Sequence, residues 1–398
     1  MRTARQLVYG SPEQEGDGDC QTFSFASGDL ELIARGPMQR IDAPAAGAQS
    51  AGSPLLHSIE QALERAVRHG QRQPMVVGAI PFDTSQPSCL YVPQCVEWRP
   101  LAAPAETDEP LPVLLEQRNV PGEADFKRAV EHAIVNFQHS DVRKAVLSVQ
   151  RELSFAEDVD VSVVQQRLRR QNRSGYHFCV PQADGGVLLG VSPELLIRKH
   201  GRQFVSNPLA GSVRRSAEAR EDQANAAWLA ASEKDHYEHS LVVEDIRARL
   251  QGMCSRLQVP ERPSLISTAA LWHLSSRIEG ELPDDRLSAL QLACRLHPTP
   301  AVCGFPTERA RQLIRFVEPF ERGLFTGMVG WCDAEGNGEW VVTIRCGSIQ
   351  RNRVRLFAGA GIVEASRPEN EWNEVQTKLG TMLRAFGLPT DSPATSRD

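Results

Sequence analysis

No stretch of about 18 apolar residues occurs in this sequence, and the opening residues MRTARQLVYGSPEQ contain no apolar core of signal-peptide length. Membrane insertion is therefore not expected, and a cytoplasmic protein is. Its nine cysteines, at 20, 89, 95, 179, 254, 294, 303, 332 and 346, include no CxxC pair and form no dense framework, so reduced thiols are expected rather than disulfides. There is no basic run, and a formal net charge of −6 with a pI near 6.0 argues against a nucleic-acid partner. An anionic substrate would need positive charge supplied locally. Internal repeats are also missing. What is present is 398 residues, enough to bury a sizeable core as one unit or two domains.

Loop composition marks SPEQEGDGD at 11–19, DAPAAGAQSAGS at 42–53 and RPLAAPAETDEPLP at 99–112. The last divides an N-terminal segment, 1–112, with flexible stretches, from a main body at 113–388, and the tail at 389–398 is expected to be disordered. SIEQALERAVRHG and EADFKRAVEHAIVNFQHSD have helical spacing, and MVVGAIPF reads as a buried strand. KAVLSVQREL reads as a strand that turns Lys144 away from Ala145 and Leu147. Asp184-Gly185-Gly186 suggests a hairpin, and LFTGMVGWCD, EWVVTIRCGSI and RVRLFAGAG suggest a three-strand meander. Helices and strands alternate without the rhythm of a Rossmann fold, which predicts an α+β sandwich rather than a doubly wound sheet.

The most informative segment is ASRPENEWNEVQTKLGTML. At about 100° per residue, a third residue is displaced by roughly −60° and a seventh by roughly −20°, so Glu371, Glu374 and Lys378 share one helix face. Two acceptors for a hard cation beside one donor for an anion suit a carboxylated substrate, although a solvated helix face carries the same spacing. ASEKDHYEHSLVVEDIRARL repeats the theme with Asp235 and Glu238, above a stripe of Leu241, Val242, Ile246 and Leu250. Its HYEH order is not the HExxH of a zinc site. Gly359 and Gly361 in LFAGAGIV admit close backbone approach, but Glu364 occupies the place of a third dinucleotide-binding glycine, so NAD is rejected and a bulge or turn is expected. Arg345 alternates with Thr343 and Val341 on a strand, and Glu194 in SPEL reads, by itself, as the start of a helix.

These signals occur in an order that resembles the chorismate-utilising enzymes, and within them the isochorismate synthases of catecholate-siderophore (enterobactin-type) pathways. The likeness runs from about residue 75 to 387 and is dense in KAVLSV, GGVLLGVSPELL, NPLAGSVRR, ASEKDHYEH, LWHLSS, LHPTPAVCGFP, RLFAGAGIV and ENEWNEVQTKL. It implies a sandwich of large antiparallel sheets flanked by helices, with the site in a deep cleft and the N-terminal segment contributing to the sandwich. Residue by residue, it implies Lys144 as the general base and Glu194 as the general acid. Glu238 and Glu374 would hold Mg²⁺, with Asp235 and Glu371 in a second shell. Arg345, Gly359, Gly361 and Lys378 would bind the substrate carboxylates, and Ala210, Gly211, Ser212, His273, Ala301 and Phe325 would line the ring pocket. One departure is Val149, where relatives often carry Arg after the Ser of KAVLSV.

The resemblance implies Mg²⁺-dependent conversion of chorismate to isochorismate, by water addition at C2 and loss of the C4 hydroxyl. The product would serve 2,3-dihydroxybenzoate and siderophore synthesis through a downstream isochorismatase, and the enzyme is expected to be a monomer. A neutral Lys base and a protonated Glu acid at pH 7 require both groups shifted toward neutrality, which burial can do. Two rivals stand beside this reading. A salicylate synthase would go on to eliminate pyruvate, but Phe325 and Ala301 stand where those relatives tend to carry Tyr and Thr. A catalytically silent chorismate-binding protein would not need Lys144 and Glu194. Aminating relatives are disfavoured by Lys144 and by Ala210 in PLAGS, where the aminodeoxychorismate type usually carries a nucleophilic Lys.

Overall fold

Strand Lys144–Phe155 shows how the sheet is placed: its first eight residues are all buried, so both faces are covered. Ala145, Leu147 and Val149 face an apolar cluster shared with helices Glu123–His139, Val161–Gln171, Thr307–Val317 and Pro368–Ala385. Val149, the departure from the family pattern, is thus accommodated as a core residue. Lys144 points the other way. The structure is a computed structural model and describes residues 22–104 and 109–390. The loop expected at 11–19, residues 105–108 of the connection and residues 391–398 of the tail lie outside the described residues.

Seventeen strands among the described residues join one sheet, and Leu209–Arg214, Ser264–Ser267 and Leu271–Ser275 form a second of three. Every registered pairing among them is antiparallel. The N-terminal strands belong to the large sheet: Met75–Ile80 pairs with Met328–Asp333, and Phe23–Ser27 pairs with Tyr176–Pro181. One apolar cluster is built chiefly from strand residues such as Phe23, Phe25, Val77, Phe178, Val329 and Val341. A third cluster carries helices Pro54–Arg68, Glu233–Gln251 and Ala289–Leu296. Sheet faces therefore pack on each other in the middle, with helices outside.

Four sequence expectations are corrected. The expected three-strand meander is two hairpins, Met328–Asp333 with Gly338–Val342 and Cys346–Gln350 with Arg353–Ile362, because EWVVTIRCGSI breaks at Thr343–Arg345 and its two halves take different partners. Arg345 is not an alternating strand residue: it has φ +51°, a left-handed conformation held at the point where the chain passes from one strand partner to another. Glu194 does not start a helix. Val187–Ser192 and Leu195–His200 are both strands, and Pro193-Glu194 is the short connection between them. Gly359 and Gly361 lie within a regular strand, opposite Ser148 and Val146, rather than in a bulge or turn.

Candidate active site

Two helices bring the acidic groups together. Ser232 caps Glu233–Gln251, its hydroxyl accepting the Asp235 N–H, and the first turns of that helix project Lys234, Asp235 and Glu238 inward. Pro368 opens the second helix, Pro368–Ala385, which carries Glu371, Glu374 and Lys378. Against them lies the strand containing Gly359 and Gly361. A Cβ added at Gly361 would stand 2.0 Å from Glu238 Oε1 and 3.0 Å from Lys144 Cε. Glycine is required at Gly361 so that the Glu238 carboxylate can lie against the backbone.

The elements enclose a narrow cleft of about 60 Å³. One side carries charge: Glu194, Glu238, Arg345, Glu374 and Lys378 line it, together with Gly359 and Gly361. The other carries the ring-sized walls, Ala210, Gly211, Ser212, His273, Ala301 and Phe325. Lys144, Asp235 and Glu371 stand one side chain behind the wall. Lys144 is fully buried, and its Nζ lies 2.9 Å from Glu238 Oε1 without hydrogen-bond geometry and has no hydrogen-bond partner. Lys378 Nζ donates to Gly359 O at 2.8 Å and meets Glu374 Oε1 at 2.5 Å, and Ser212 Oγ donates to the same oxygen at 3.3 Å.

Charge states follow from burial. Glu194 is raised to about 7, first by burial, against the Leu209 N–H and the charges of Lys144, Arg345 and Lys378. It can thus carry a proton at neutral pH. Burial lowers Arg345 to about 10, which leaves it cationic. His273 is pushed well below the imidazole range by burial and then by Arg345 and Lys378, and its Nε2 is buried without a partner. His239, read within HYEH, is buried, bonding Ala210 O and Ser276 Oγ. Burial acts to raise Glu374, but Lys378, Lys234 and Arg345 outweigh it and hold the carboxyl below its ordinary value.

Sequence reasoning quoted Lys234 inside ASEKDHYEH without assigning it. Its Nζ bridges to Glu371 Oε1 at 2.9 Å and so ties the two acidic helices together. Burial would lower its pKa, but Glu371, Glu238, Glu374 and Asp235 together raise it. Val146, Val302, Thr326 and Phe357 also line the cleft, and no spacing signal marks them.

The donor set is carboxylate oxygen, which suits a hard divalent cation. Glu238 and Glu374 reach the cleft, and the buried Oε2 of Glu371 has no partner. Among the described residues no three His, Cys, Asp or Glu side chains form a cage able to hold a metal alone. Two carboxylates completed by substrate oxygens and water are a usual setting for Mg²⁺.

A deep antiparallel sandwich in which Arg345 shares a cleft with two acidic helices, one of them carrying Lys378, defines a class of enzyme for small carboxylated substrates. The chain belongs to the chorismate binding enzyme family, which it matches over residues 94–387. It is 44% identical over 373 residues to isochorismate synthase EntC of Escherichia coli (strain K12), covering 92% of this chain and 95% of that one. Against isochorismate synthase DhbC of Bacillus subtilis (strain 168) it is 44% identical over 374 residues, with 92% and 94% covered. The crystal structure of DhbC from Bacillus anthracis, assigned as a 2,3-dihydroxybenzoate-specific isochorismate synthase, matches with a TM-score of 0.85 at 39% identity, covering 93% of this chain and 97% of that one. The expected sandwich fold is the fold of this family.

Proposed function

We propose that this protein is an isochorismate synthase, an isomerase that converts chorismate to isochorismate for 2,3-dihydroxybenzoate and siderophore synthesis. The observation that carries the reading is a buried carboxyl, Glu194, raised to about 7 in the same cleft as the anion-binding Arg345 and Lys378. Chorismate is a dianion, and these two cations supply the local positive charge that a chain of net charge −6 needs in order to hold it. Lys144 Nζ takes a proton from water as its oxygen bonds to C2. Glu194 gives its proton to the C4 hydroxyl, which leaves as water while the ring double bonds shift. Proton return from Lys144 to Glu194 resets the pair, so the net reaction is an isomerisation.

Glu238 and Glu374 would hold Mg²⁺, with Asp235 and Glu371 acting through water. Bound there, the ion would neutralise and orient the substrate's ring carboxylate. Lys234 keeps the two acidic helices together, and Gly361 leaves room for the Glu238 carboxylate. His273, Ala301 and Phe325 shape the ring pocket. The working unit is a single cytoplasmic chain, and an isochorismatase would consume the product. Proton NMR of purified protein with chorismate tests the reading: isochorismate should accumulate with Mg²⁺ and stop with chelator. Equal turnover in metal-free buffer would remove the metal assignment, and stoichiometric pyruvate with salicylate would favour a salicylate synthase instead. A protein that bound chorismate without turning it over would be a silent binder.

A further inference from the structure

Strand Lys144–Phe155 is paired along its whole length on one side, from Ile362 opposite Ala145 to Arg353 opposite Ser154. Its other side is not continuous. Gly304–Phe305 pairs with Ala145 and Lys144, Cys303 O accepts the Val146 N–H at 2.9 Å, and Leu114–Val120 pairs from Gln150 onward, so past that bond residues 146–149 have no strand beside them. An i,i+4 ion pair fills this gap. Glu318 Oε1 accepts the Ser148 N–H at 2.8 Å, and Arg322 Nη2 donates to Val146 O at 2.7 Å. Carboxylate and guanidinium thus take the two hydrogen bonds that a neighbouring strand would make.

The same guanidinium reaches three more parts of the cleft wall. Its Nη1 donates to Val302 O at 2.8 Å and to Thr326 Oγ1 at 3.3 Å. Its plane lies 4.5 Å from the Phe82 ring centroid and 5.9 Å from that of Phe325, which stacks on Phe357 at 5.0 Å. Thr326 itself holds φ +57°, an uncommon conformation for a β-branched residue that needs outside support. Val146, Val302, Phe325 and Thr326 all line the cleft. Both side chains of the pair are almost fully enclosed, at 2% exposure for Arg322 and 4% for Glu318.

We propose that the Glu318–Arg322 pair is a positioning device for the reaction: it substitutes for a missing strand beside Val146 and Ser148, and so sets where Lys144 stands relative to the ring pocket. The inference rests on the isochorismate synthase reading. It makes Arg322 and Glu318 positioning residues, since neither touches the substrate space directly. Arg345 and Lys378, which bind substrate charge, are carried by other elements and would stay in place without it. The device therefore acts on turnover more than on affinity.

The test compares Arg322→Lys and Glu318→Gln with the wild type, each alone and combined with Lys144→Gln. Lys keeps the charge but cannot span the four acceptors, and Gln keeps one oxygen for Ser148 but loses the paired contact to Arg322. Turnover per folded molecule should fall about 10²-fold in Arg322→Lys, as expected for a misplaced catalytic group, while KM for chorismate changes less than about threefold. Glu318→Gln should fall less, in the same sense. In the Lys144→Gln background neither substitution should cost much further turnover, because the group being positioned is gone. Melting temperature and circular dichroism define the folded fraction.

Near-normal turnover in the folded variants would overturn the proposal. So would an undiminished extra loss in the Lys144→Gln background, or failure of both variants to fold, which would make the pair a requirement of the core alone. Should Arg322→Lys fail to fold, Glu318→Gln carries the comparison. Absence of isochorismate from the wild type would instead sink the functional reading, and that result is separate from any ratio between variants.

Discussion

Glu31 and the carboxylates Glu238 and Glu371 beside the cleft are all buried but are held differently. At Glu31, Arg99 donates through Nε and Nη2 to Oε2 at 3.0 and 2.9 Å, and Arg169 meets Oε1, so both oxygens are occupied by guanidinium. In the cleft the partners are lysines, which make point contacts: Lys144 with Glu238, Lys234 with Glu371 and Lys378 with Glu374. There Glu371 Oε2, His273 Nε2 and Lys144 Nζ are left buried without hydrogen-bond partners. The planar fork of Arg closes a carboxylate, whereas a Lys leaves lone pairs free for something else. A buried polar atom without a partner costs free energy, and His273 Nε2 is such an atom in the wall of a cleft that a ligand can fill.

The comparison breaks most sharply under chelation. Removing Mg²⁺ should abolish turnover and adding it back should restore it, and Mg²⁺ should raise the melting temperature of the wild type more than that of Glu374→Gln. An equal rise in the two proteins would detach Glu374 from the metal. Next in size, Lys144→Gln and Glu194→Gln should each lower turnover by about 10²–10⁴-fold with folding intact. Glu31→Gln should do the reverse, losing about 3–5 kcal/mol of stability while turnover per folded molecule is unchanged. Steady-state kinetics and denaturant unfolding on the same preparations read both arms.

A smaller effect is expected from pH. Glu194 must be protonated to act as the acid, and burial moves its pKa up from 4.5 to about 7, so turnover should fall as pH rises through about 7. Above that point the protonated fraction drops about tenfold per unit. The fall should disappear from the residual activity of Glu194→Gln, and its persistence would assign it to another group. The smallest effect is expected from Phe325→Tyr, which adds a hydroxyl to the ring pocket. Isochorismate should remain the main product, with a detectable trace of salicylate by chromatography.

Helix faces were legible in the sequence because they depend on local spacing. Glu371, Glu374 and Lys378 do share an inner face, as does the pair Asp235 and Glu238, and Lys144 does turn away from Ala145 and Leu147. Features set by distant partners were not. Ser-Pro-Glu favours a helix start, yet Leu195–His200 pairs with Gln203–Asn207 and Gly338–Val342, and those pairings override the local signal at Glu194. The alternation around Arg345 predicts a continuous strand, but the chain changes sheet partner there. Gly361 is explained by a carboxylate 123 positions earlier in the chain, Glu238, and no window of sequence contains both. Glu318 and Arg322 carry only the i,i+4 spacing of an ordinary surface pair.

The most direct test is mass spectrometry and proton NMR of the product formed from chorismate and Mg²⁺ in ¹⁸O-labelled water, sampled early. If water activated at Lys144 attacks C2 while the C4 hydroxyl departs, the product should be isochorismate carrying one solvent oxygen at C2. Isochorismate without label would contradict the base–acid pair, and salicylate with pyruvate as the early products would contradict the assigned reaction.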